Sequence, residues 1–244
     1  MSNAREENMK DIRIITFIGL FIGIVGTSIG GLLSTFIKVS SDKLISILFG
    51  ITGGFMLSIV TFQLLPESYK LGGIWTELLG IILGILLVIF VEEIIPKKDL
   101  NSWFKSGIIL GISIGLHNFP EGLAIGSAFM AKNKLGLTLS IAMILHNLPE
   151  GLAMSLPLRL SKVSNYKILL LTIFAGVPTG VGAFLGAYLG SISDLYISIC
   201  LSFAGGTMLY IVCNDLIPSA NTLQKGRFST IGIIIGFILG LVIQ

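Results

Sequence analysis

LHNFPEGLA at residues 116–124 and LHNLPEGLA at residues 145–153 differ at one position in nine, Phe119 against Leu148. The offset is 29 residues, and the chain's only two histidines, His117 and His146, lie in these copies. Each copy also carries a carboxamide, a carboxylate and a proline inside a long apolar stretch. On a helix, His117 and Glu121 are four apart and share one face. Asn118 lies about 100° round from His117. His146, Asn147 and Glu150 repeat the arrangement. Pro120 and Pro149 have no N–H, so the carbonyls of Leu116 and Leu145 lose their helical partners.

The surroundings of the phrase fix its solvent. Of 244 residues, 53% are hydrophobic and only 12% charged, with mean hydropathy +0.94. Soluble domains carry about 25% charged residues. The chain therefore reads as an all-α integral membrane protein whose partner is the lipid bilayer. Its net charge of +3 gives no reason to expect nucleic acid. Stretches near the ~20 residues that cross a bilayer recur eight times: 14–37, 44–65, 73–95, 106–131, 135–158, 167–190, 195–217 and 228–243. The connections are short, which makes neighbours antiparallel and residues 1–244 one transmembrane domain. Cys200 and Cys213 fall on one span, too far apart to bridge.

Basic residues orient the bundle, because cytoplasmic connections collect Lys and Arg. The odd-numbered connections hold ten of the 16. Both termini are thus expected outside the cytoplasm, with 1–13 an extracytoplasmic tail and 96–105 a short cytoplasmic loop. Glycines spaced by four, such as Gly107, Gly111 and Gly115, suit close helix packing.

A second repeat is less obvious. GGFMLSIVTFQLLPES (53–68) and GGTMLYIVCNDLIPSA (205–220) agree at eight of sixteen positions, at an offset of 152. The first lies in span two and the other in span seven, so they run in opposite directions. This predicts an inverted repeat of spans 1–3 and 6–8 around central spans 4 and 5. Such repeats are a hallmark of secondary transporters, whose sites lie near the midplane.

An ionisable side chain at a helix centre costs about 2.5–3.5 kcal/mol in a membrane. The two copies together cost on the order of 10 kcal/mol once unpaired polar groups are included. A dehydrated divalent cation held between the helices offsets this. Two carboxylates neutralise it, two imidazoles bind it, and the asparagines and freed carbonyls complete the shell. Imidazole with carboxylate suits Zn²⁺, Fe²⁺, Mn²⁺, Co²⁺ or Cd²⁺; all-oxygen shells suit Ca²⁺ or Mg²⁺. Two other functions compete. A zinc protease needs HExxH, with Glu beside the first His, where this chain has Asn. A di-iron enzyme needs Glu-x-x-His on facing helices, and the order here is His-x-x-x-Glu. An intramembrane metalloenzyme is thus disfavoured; a metal-gated channel stays open.

HNxPEG in span four with its match in span five, GGFML and LLPES in span two, and the LIP ending of span seven resemble the ZIP family of divalent metal transporters, closest to its GufA-like bacterial branch. The resemblance implies uptake of Zn²⁺ first, or of similar ions, into the cytoplasm across the cell membrane, with both termini outside. It implies no prosthetic group and no enzymatic activity, and it makes a homodimer plausible. It assigns His117, Asn118, Glu121, His146, Asn147 and Glu150 as metal ligands. Three departures stand out. Val177 occupies the position where family members often carry a further Glu, and the loop at 96–105 has no histidine. Asn214 and Asp215 replace the acidic or His-Glu pair usual in span seven. By position, Gln63 and Glu67 are expected to form an outer funnel, and Asn214 and Asp215 an inner release point. Glu92 and Glu93 are expected at the cytoplasmic interface.

Overall fold

The computed structural model describes residues 2–36, 42–94, 103–223 and 227–243, and among these only helices and short turns occur. The helices are α1 (Ser2–Leu33), α2 (Asp42–Ile59), α3 (Leu65–Ile94), α4 (Trp103–Ala131), α5 (Asn133–Leu160), α6 (Asn165–Gly190), α7 (Asp194–Ile211), α8 (Ile217–Leu223) and α9 (Arg227–Val242). Six helical stretches are long and apolar enough to cross a membrane, and α9 is a shorter apolar helix. Large side chains such as Phe17, Phe21, Trp75, Phe90 and Phe174 point outward, a surface that suits lipid and not water.

The boundaries differ from the sequence expectation in three places. The residues expected as a tail belong to α1, which starts at Ser2. Spans two and three form one helical stretch, Lys43–Glu93, of 51 residues. The chain breaks it at Gly73, with φ 71° and ψ 176°. Only glycine visits that backbone region without steric cost, so one residue does the work of the expected loop. The final span is the 16-residue α9. Most of the expected loop at 96–105 lies outside the described residues.

Two single π-helical turns interrupt the helices, at Val60–Leu64 and Val212–Leu216. The amide of Leu65 reaches the carbonyl of Val60, and that of Ile217 reaches Val212. The local cause is a proline just beyond each, Pro66 and Pro218. A proline ring clashes with the carbonyl four residues back. Admitting one extra residue into the turn moves that carbonyl away. Such bulges are frequent at functional sites, and these two carry Gln63 and the Asn214–Asp215 pair.

Packing sorts the helices into two sets. Helices α1, α4, α5 and α6 pack on one another, while α2 packs on α9 and α3 on α7. Glycines set the contacts. A Cβ on Gly54 would collide with the Ile233 carbonyl oxygen, and one on Gly206 with that of Ile81. Gly122 meets the Thr179 carbonyl oxygen and Gly151 that of Thr27 in the same way. A buried apolar core including Val60, Leu64, Ile125, Leu139, Met143 and Leu201 joins the two sets. This core lies toward the bundle end that holds Glu67 and Lys132.

Candidate metal site

Helices α4 and α5 run unbroken through Pro120 and Pro149 and pack against each other. Their facing sides bring Glu121, His146 and Glu150 together, all buried, with one potential ligand atom from each lying within 4.8 Å of the others. His146 Nε2 is 2.7 Å from Glu121 Oε1 and 4.0 Å from Glu150 Oε1. Ligand atoms around one tetrahedral ion at ~2.1 Å sit about 3.4 Å apart, between those two distances. The second oxygens of Glu121 and Glu150 are buried without a hydrogen-bond partner among the described residues. Acceptors left this way are costly and are poised for a cation.

The two copies of the phrase have unequal settings. His146 is buried, whereas His117 is half-buried. His117 lines two adjoining cavities of about 260 and 220 Å³. Both also include Ser113, Ile211 and Asp215; one adds Glu92 and the other Glu150. His117 and Glu150 therefore border a common space. The asparagines turn toward flanking helices. Asn118 Nδ2 donates to the Ala175 carbonyl of α6 at 2.7 Å, leaving its Oδ1 buried and unpartnered. Asn147 packs beside Gly26 of α1, and both of its amide atoms are unpartnered among the described residues.

The expected pathway residues fall at opposite ends of the bundle. Gln63 and Glu67 are buried and line a pocket with Lys70, Lys132 and Lys134. Lys132 Nζ is 2.6 Å from Glu67 Oε1, and Lys70 Nζ is 3.5 Å from Glu67 Oε2. Asn214 and Asp215 lie at the other end, beside the open cavities. There Glu92 accepts hydrogen bonds from the Tyr210 hydroxyl at 2.9 Å and from Asn214 Nδ2 at 3.2 Å. Glu92 thus contacts α7 directly at the edge of a cavity, whereas Glu93 is exposed. A signal for this exists in the sequence. Gly80, Gly84, Val88 and Glu92 form one i, i+4 stripe, and its glycines abut α7. Val177 is half-exposed in an apolar groove with Phe119, Phe174 and Val181. Cys213 is exposed, whereas Cys200 is buried and both are free thiols.

A family model described as ZIP Zinc transporter matches residues 97–244, more than half of the chain. The chain belongs to this family. Among curated relatives, the zinc transporter ZupT of Streptococcus mutans is 27% identical over 122 residues, 41% of this chain and 46% of that protein. ZupT of Lysinibacillus sphaericus is 26% identical over 132 residues, 43% of this chain and 49% of its own length. ZupT of Shigella dysenteriae is 30% identical over 124 residues, 45% of this chain and 44% of its own. The chain thus spans about half the length of the curated relatives it matches. The ZIP match begins at residue 97 and so covers α4 to α9, including both copies of the phrase.

Proposed function

We propose that this ZIP family chain carries divalent transition-metal cations, Zn²⁺ first and Fe²⁺, Mn²⁺, Co²⁺ or Cd²⁺ as alternatives, across the cell membrane into the cytoplasm. The observation that carries the reading is the buried Glu121–His146–Glu150 cluster between α4 and α5. These three residues are the core ligands. His117 joins them from the cavity, and Asn118 and Asn147 supply carbonyl oxygens after small rotations. A cation crosses by exchanging water for these groups and then for Asp215, Glu92 and Asn214. The matching family model and the relatives carry transporter names, which supports transport over an enzymatic reading.

The architecture proposed with it is eight spans in an inverted repeat. The break at Gly73 supports counting spans two and three separately. The π turns support the repeat, since Val60 and Val212 differ by the same 152 as the sequence match. So do the close contacts: Gly54 on Ile233 becomes Gly206 on Ile81 when 152 is added to one partner and subtracted from the other. The excess of lysines and arginines in the odd connections supports placing both termini outside. On that orientation the cavity at His117 opens inward, while the apolar core and the Glu67–Lys132 pair close the outer side.

The test is flux into liposomes. Purified chain should accumulate Zn²⁺ well above protein-free vesicles, with the other ions as competitors; accumulation equal to empty vesicles would refute the proposal. Two variants probe the path. Asp215→Ala is expected to slow influx by about 5-fold, the equivalent of the ~1 kcal/mol of a partly exposed charge interaction, while zinc-dependent thermal stabilisation persists. Unchanged influx would remove Asp215 from the path. Lys132→Ala should loosen the outer mouth. In a Cys213→Ala background, a membrane-impermeant thiol reagent added outside is expected to label Gln63→Cys about 5-fold faster, because an ion pair with one solvent-exposed partner, Lys132, is worth about 1 kcal/mol. Labelling that ignores Lys132 would show the pair has no closing role.

A further inference from the structure

We propose that the groove between α4 and α6 binds an anionic phospholipid, with one acyl chain along the groove and the headgroup phosphate at Lys162 and Lys167. The inference rests on the membrane reading and stands apart from metal transport. The inner part of the groove is a cavity of about 590 Å³ with apolar walls that include Gly115, Phe119, Phe174, Val177 and Val181. A second cavity of about 550 Å³ continues it, sharing Ile108, Leu171 and Phe174 and adding Ser161, Lys162 and Lys167. The two form one channel that is hydrocarbon-like at depth and cationic at its end.

Length, charge and position agree on the occupant. From Ile108 to Phe119 the wall rises 11 residues, about 16 Å at 1.5 Å each. That is close to half of a ~30 Å hydrocarbon core, the reach of one leaflet's acyl chain. Among the described residues no aspartate or glutamate lines either cavity, so the charge they place at the end of the groove suits an anion. Both lysines are exposed, and Lys162 sits in the tight α5–α6 turn with φ 59°, which holds its Cα at the groove mouth. Arg159, in the last turn of α5, adds positive charge at the same end. A second copy of the chain pressed into this groove would have to cover those ammonium groups, whereas a lipid leaves them at headgroup level. The chain end would reach Phe119 and Pro178, behind the turn that carries His117 and Pro120, so a bound lipid braces α4 against α6 beside the metal site.

The full chain in detergent, with phosphatidylglycerol or phosphatidylcholine added, provides the test, read by native mass spectrometry and thermal melting. Phosphatidylglycerol should bind in a defined stoichiometry and raise the melting temperature; phosphatidylcholine should do neither. Each lysine near a headgroup is worth roughly a 5-fold change in affinity. Lys162→Glu with Lys167→Glu should therefore weaken phosphatidylglycerol binding at least 25-fold or so without lowering the lipid-free melting temperature. Gly115→Leu should block binding by filling the groove, since a Cβ there meets nothing nearer than 3.8 Å and the fold tolerates it. Equal response to both lipids, or undiminished binding by either variant, would overturn the proposal. A dimer in lipid-free detergent that Gly115→Leu dissociates would assign the groove to a second copy and overturn it equally.

Discussion

Glu121→Ala is expected to lower Zn²⁺ flux to below about one hundredth of the native rate. The substitution removes one of the cluster's two carboxylates and leaves His146 without its 2.7 Å partner. Breaking a buried charge pair by deleting one member costs ~3–5 kcal/mol, and each 1.4 kcal/mol is about tenfold in an equilibrium constant. The same variant separates binding from folding. A ligand at 100 times its Kd stabilises the folded state by ~2.7 kcal/mol. For a chain of this size that raises Tm by about 5–10 °C. The native protein should show this rise with Zn²⁺, and Glu121→Ala should not, whatever its metal-free Tm. Native-like flux in Glu121→Ala would show that cations cross elsewhere. Glu150→Ala is expected to behave alike, because its carboxylate closes the other side of the cluster.

The second large effect comes from the residues that follow those glutamates. Gly122→Val would drive a side chain into the Thr179 carbonyl of α6, and Gly151→Val into the Thr27 carbonyl of α1. Backbone cannot swing aside as a side chain tip can, so the helices must separate. Overpacking typically costs ~1–3 kcal/mol, and here the upper end applies, a Tm loss of about 5–10 °C. Moving α4 or α5 off its neighbour also displaces the adjacent ligand, so flux should fall with stability. Gly115→Ala, with its nearest heavy atom at 3.8 Å, is the control and should melt like the native chain. Normal melting of Gly122→Val and Gly151→Val would mean that the helix spacing does not depend on these glycines.

Much of the site was legible in the sequence because it is written twice. The repeated HNxPEG phrase placed Glu121, His146 and Glu150 on two adjacent helices, and they meet. What it could not convey is that the copies differ in environment. His117 and His146 have the same neighbours in sequence, yet one borders an open cavity and the other is sealed against Glu121. Asp215, on the π turn after α7, lines the cavities beside His117, and its counterpart 152 residues earlier is the neutral Gln63. The Glu67–Lys132 pair joins residues 65 apart, a contact no local pattern encodes. The polar stretch at 66–72 reads as a loop, yet it is helical and the chain turns only at Gly73. Val177 was placed by the proline after it, and proline spacing gives depth along a helix without telling which side a residue faces.

Each π turn holds one residue more than the surrounding α-helix needs, and the proline just beyond keeps that surplus in place. Gln63 and Asp215 ride on these turns, so adding or removing one residue between a turn and its proline would swing the polar group about 100° round the helix axis.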